Sequence, residues 1–148
     1  MTTDVFTTAS PAGSGLDNAF APSLDDFARL ADQAVQSLPT AFRELAVDVI
    51  FRVEDFAAED VLAELGIEDA FELTGLYHGI DLKRRSVLDA GGVLGPVVFL
   101  YRRPILDEWC DRGDITLVDL ITHVLVHELG HHFGLSDDDI HRIEDEAD

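Results

Sequence analysis

The residues best equipped for chemistry in this chain are His127, Glu128 and His131, set in the run TLVDLITHVLVHELGHHFGLSD from Thr116 to Asp137. They spell H-E-x-x-H. Two histidines four apart fall on one face of a helix about a turn from each other, so both imidazoles can aim at one metal ion. Glu128 is rotated by one residue from the first histidine and can reach a water on that metal without ligating it, which makes it the candidate general base. Catalytic zinc sites commonly take three protein ligands and keep a position open for water. Asp137 follows ten residues after His127 and is the candidate third ligand; Glu144 and His141 are the fallbacks. The pattern then reads H-E-x-x-H-x-x-G-x-x-D.

These residues need a rigid carrier. Leu117, Leu120, Ile121, Val124, Leu125 and Leu129 recur at helical spacing, so the motif belongs to a mostly buried helix. Gly134 follows Phe133 where a glycine can turn left-handed and stop the helix, and Leu135 can fold back on the last turn. Ser136-Asp137-Asp138-Asp139 also has the look of a helix N-terminus, so Asp137 has a capping role to weigh against ligation. His123 lies two turns before His131 and reads as a packed side chain, and His132 as a supporting one. Tyr77 and His78, in a Gly-flanked loop, are candidate hydrogen-bond donors to an oxyanion or to substrate. Arg102 and Arg103 are read as partners for the many carboxylates, Trp109 and Cys110 as packing residues.

The run HVLVHELGHHFGLSDDDI, with GLYHGI (Gly75 to Ile80) and FLYRRPIL (Phe99 to Leu106), resembles the bacterial minimal zincin family of small zincin-like metallopeptidases. The similarity extends over about Phe42 to Ile143. The resemblance implies a compact α+β zincin domain and zinc peptidase activity, carried over to His127, Glu128, His131, Gly134 and Asp137. Metzincins share the longer spacing but have a methionine turn under the metal, and the only methionine here is Met1.

Composition narrows the remaining classes. With 47% apolar residues in 148, the chain has material for one real core. A formal charge of −20 argues against nucleic-acid binding through phosphates and favours cations and basic partners. A single cysteine excludes an internal disulfide or a thiolate zinc site and points to a reducing compartment. The N-terminus has neither a basic region followed by an apolar run nor a membrane-length segment, so a cytoplasmic protein without a membrane partner is expected.

In chain order, residues 1–22 are expected to be a disordered tail and 23–148 one domain. Ser23 with Asp26 suggests a capping box opening a helix that Pro39 closes. Ala46 to Phe56 alternates as a half-buried strand with Val47, Val49, Phe51 and Val53 on the inner side, Glu59 to Leu65 fits a short helix ended by Gly66, and Leu73 to Tyr77 suggests a second strand. Asp89 to Gly92 reads as loop, Pro96 to Tyr101 as a third strand bounded by Arg102, Arg103 and Pro104, and about Asp137 to Glu146 as an acidic helix. The expected architecture is α+β, a small sheet packed on the H-E-x-x-H helix. The expected function is peptide-bond hydrolysis with one zinc per chain, on a peptide or protein that the charge would favour as basic, laid along Val97 to Tyr101. The alternatives are a metal-binding module without turnover and an acidic interaction protein with a vestigial site. Oligomeric state is not legible.

Overall fold

The computed structural model describes residues 16–79 and 95–147, and every structural statement below concerns those residues. Residues 1–15 of the expected tail and the expected loop at 89–92 lie outside them. Of the remaining tail, Leu16–Asn18 form one 3-10 turn. The first helix, α1 (Leu24–Gln36), opens as its sequence directs. The Ser23 hydroxyl accepts from the Asp26 N–H and the Asp26 carboxylate accepts from the Ser23 N–H, at 3.1 and 2.9 Å, satisfying two amides that a helix start leaves without partners. Its face of Phe27, Ala31 and Ala34 is buried.

After Pro39 come a short helix, α2 (Thr40–Leu45), and a 3-10 turn at Ala46–Asp48. Strand β1 is therefore only Ile50–Glu54, shorter than the expected run from Ala46 to Phe56. The reason is pairing: its partner strand begins at Val97, opposite Ile50, and the Val49 N–H still turns back to the Ala46 carbonyl. Val47, counted on the inner side by alternation, precedes the strand and is exposed. Helix α3 (Glu59–Leu65) ends at Gly66 with φ +70°, in agreement with the sequence reading.

Strands β2 (Gly75–His78) and β3 (Val97–Tyr101) complete a three-stranded sheet of order β1-β3-β2. β1 runs parallel to β3, and β2 antiparallel to it. β3 is buried on both faces. Val98 and Leu100 join the main core, while Val97, Phe99 and Tyr101 pack with Ala57 and Leu62 beneath α3. A central strand covered twice has no use for polar alternation, which is why PVVFLY is apolar throughout.

Helix α4 (Arg102–Arg112) follows β3 at once, where the sequence pattern shows no helix. Pro104 suggested a boundary, yet it is the third helical residue, where the missing N–H costs nothing. Arg102 bonds Asp55 at 2.6 Å and the Pro22 carbonyl at 2.9 Å, and the Trp109 indole donates to the Ile115 carbonyl at 2.8 Å. Helix α5 (Leu117–His132) is capped by the Thr116 hydroxyl on the Asp119 N–H. All six of its expected apolar positions are buried, and Val126 and Gly130 with them. The last helix is α6 (Asp137–Ala147). The result is the expected α+β domain, with α1 and α5 on one face of the sheet and α3 on the other.

Stability should concentrate in α5. Leu125, fully buried, is expected to cost about 2–5 kcal/mol on replacement by alanine, whereas Val47→Ala at an exposed site should stay within about 0.5 kcal/mol. Urea unfolding of the two variants measures the contrast.

Candidate functional site

His127, Glu128 and His131 lie in the last turns of α5, whose other sides are occupied by core. The Glu128 side chain is only 15% exposed and that of His131 is 55% exposed, so the acid sits inward of the imidazole. His131 Nδ1 is 3.5 Å from Glu128 Oε1. The same Oε1 accepts the backbone N–H of Tyr77 at 2.9 Å. The carboxylate is thereby fixed between the motif helix and strand β2. Tyr77 also meets α5 through its hydroxyl, 2.7 Å from His132 Nδ1. His132 is four residues beyond Glu128, so both bonds fall on one face of the helix. Burial raises the pKa of the Tyr77 hydroxyl, keeping it protonated.

Two glycines permit these approaches. A Cβ on Gly75 would lie 2.7 Å from Val124 Cγ1 and 3.3 Å from Glu128 Cγ, so β2 crosses α5 where only glycine fits. A Cβ on Gly130, inside the motif itself, would lie 2.4 Å from Cδ1 and 2.7 Å from Cγ1 of the fully buried Ile140. An interior helical glycine costs about 1 kcal/mol against alanine, and here it seats α6 directly on the motif helix. The motif helix ends in a Schellman turn. Gly134 has φ +69°, with the Leu135 N–H on the Gly130 carbonyl at 2.9 Å and the Gly134 N–H on the His131 carbonyl at 3.2 Å.

α6 then starts on a second capping box. The Asp139 N–H donates to the Ser136 hydroxyl at 3.2 Å and the Ser136 N–H to the Asp139 carboxylate at 3.3 Å. The bonds from the Ser136 backbone and hydroxyl, followed by Arg142, hold the Asp139 carboxyl below its usual value of 3.8. Asp137 is the first residue of this helix, which places its backbone just past the turn; its side chain, like that of Glu144, lies outside the described part of the structure. His141 does approach: its ring centroid is 6.2 Å from that of His127, and the His123 ring centroid is 4.7 Å from that of His127. Among the described residues, no set of three His, Cys, Asp or Glu side chains is arranged to hold a metal. The donor chemistry nonetheless fits one: two imidazoles one turn apart, a carboxylate beside the second, and a third donor left to α6.

Strand β2 places the two oxyanion candidates on opposite faces of the sheet. Tyr77 packs on the main core while Leu76 packs on the opposite cluster, so alternation sets His78 on the face away from α5. The segment read as a Gly-flanked loop is strand through His78. A second correction concerns the substrate track. Val97 to Tyr101 is the central strand, with both edges paired to β1 and β2, and offers no free edge. Among the described strands, the edge beside α5 is β2. Since the Tyr101 N–H bonds the Thr74 carbonyl, the ladder's alternation turns the backbone groups of Gly75 and Tyr77 outward, as the Tyr77–Glu128 bond requires.

A family model described as zincin-like metallopeptidase matches residues 46–147, more than half of the chain. The chain belongs to that family. The membership supports a metallopeptidase function and implies a metal cofactor, typically zinc. No curated protein gives a match. For this zincin-like chain, among the described residues, no helix is long and apolar enough to cross a membrane. Sequence reasoning missed the pairing of His132 with Tyr77, for which no signal exists in one dimension, and the roles of Gly75 and Gly130. The costly glycine inside H-E-L-G-H was the available clue to the second.

Gly130→Ala should lose more from overpacking Ile140, about 1–3 kcal/mol, than the roughly 1 kcal/mol alanine gains in a helix. Ile140→Val, which removes the nearest atom, should recover part of the loss in the double variant, read by thermal melts. The α6 box predicts a pH effect of defined sign. A carboxyl whose folded pKa is depressed binds its proton more readily unfolded, so its contribution is present above 3.8 and fades as pH falls through the folded value. Asp139→Asn should therefore show a flatter fall in Tm below about pH 5 than wild type.

Proposed function

We propose that this chain hydrolyses peptide bonds with one zinc ion held by His127, His131 and Asp137, and with Glu128 as general base. What supports the reading is the position of Glu128: an inward carboxylate beside His131, on the strand-edge side of the motif helix. Zinc there would polarise the scissile carbonyl and lower the pKa of a water molecule to about 7.

The chain's own residues supply the rest. Glu128 takes the proton of the attacking water and returns it to the leaving amine. An extended peptide runs along the outer edge of β2, past Glu128, and so replaces the β3 track expected from the sequence. Tyr77, on the α5 face, is retained as an oxyanion or substrate contact, and His78 is not. The formal charge of −20 favours a basic peptide, an attraction that salt should weaken. A cytoplasmic setting fits the single cysteine.

The decisive measurement is metal stoichiometry on untagged protein, together with peptide turnover. Wild type should carry about one zinc per chain and Asp137→Ala much less, while Glu128→Gln should keep its zinc and lose turnover by about a hundredfold or more. Full activity in Glu128→Gln would refute the mechanism. Absence of tight zinc binding would favour the acidic interaction protein instead.

A further inference from the structure

Tyr77 holds α5 at two points. Its backbone N–H donates to Glu128 Oε1 at 2.9 Å, and its hydroxyl meets His132 Nδ1 at 2.7 Å. The Tyr77 and His132 rings are also tilted together with centroids 4.9 Å apart. An edge-strand amide ordinarily faces water and is free to move with the strand. Here the ring of the same residue is tied one helical turn beyond the carboxylate, so the strand cannot shift along α5 without breaking the hydroxyl–imidazole bond. The residues two before and two after Tyr77 are both glycines, and each leaves room for this arrangement. Gly75 lets the strand reach the helix, and a Cβ on Gly79 would come within 2.8 Å of the Tyr77 hydroxyl oxygen.

We propose that Tyr77 and His132 form a positioning pair that pins β2 to α5 and so holds the Tyr77 amide on Glu128 Oε1, leaving Oε2 as the oxygen that takes the proton. The inference deepens the peptidase reading and rests on Glu128 as its base. It makes His132 a positioning residue, acting through Tyr77 and never touching substrate. It also gives the sequence G-L-Y-H-G a reason beyond strand formation: two glycines for close approach and one tyrosine for two bonds.

The test follows the Tyr77 amide by NMR-detected hydrogen exchange on the full chain, with neither metal nor substrate added. In wild type this outward amide should be protected, and Glu128→Gln should weaken the protection. Tyr77→Phe, which keeps the ring, His132→Ala and Gly79→Ala, which crowds the hydroxyl, should each speed exchange at Tyr77 by about tenfold. His132→Asn, with a polar atom near the place of Nδ1, should restore slow exchange. Unchanged Tyr77 exchange in folded Tyr77→Phe and Gly79→Ala would overturn the pair, as would fast exchange in wild type. If His132→Ala does not fold, Tyr77→Phe and Gly79→Ala decide. The readout is separate from peptidase activity. A protected amide in a chain that cleaves nothing would refute only the peptidase reading, and an active peptidase with an unprotected amide would refute only the pair.

Discussion

Burial of α5 is the constraint on which the rest of the molecule depends. Eight residues from Leu117 to Gly130 are out of solvent, and at 25 cal/mol per Å² of apolar surface such a helix is a main contributor to the fold. The same helix has to carry His127, Glu128 and His131 where a ligand can reach them. The two demands are reconciled at its C-terminal end, where the apolar stripe runs out and the imidazoles emerge. The Schellman turn at Gly134 ends the helix immediately after them, and the T-shaped contact of Phe133 with Phe42, centroids 5.5 Å apart, anchors that end to the core.

Close approach is the device that builds the site around this end. Strand β2 reaches Glu128 because Gly75 has no side chain, and α6 reaches the helix because Gly130 has none. Each glycine gives up conformational entropy and, in the helix, propensity. In return, β2 comes within bonding distance of Glu128 and His132, and α6 brings the His141 ring to 6.2 Å from that of His127. Ile140, fully buried against Gly130, fixes α6 and therefore the backbone position of Asp137 three residues earlier. The capping box of Ser136 and Asp139 sets where that helix begins. The charged surface has a subordinate part in this account. Most of its ion pairs join exposed side chains, such as Arg112 with Glu108, and contribute little to stability.

What the sequence by itself determined is local. The spacing of His127 and His131, the apolar stripe of α5, the capping box at Ser23 and the stops at Gly66 and Gly134 are each set by residues within a few positions of one another. Helical and turn physics acts over that range. The limits of local reading show in α4, hidden by a proline that is harmless in a first turn, and in β1, whose start depends on where β3 begins. Tertiary structure alone decided the order β1-β3-β2, which places β2 and not β3 at the edge beside the motif helix. It also decided that Glu128 bonds Tyr77, 51 positions away, and that His132 meets the same tyrosine. Contacts of that separation are selected by which apolar faces pack together, and an alternating strand shows which residues share a face without showing what will cover it.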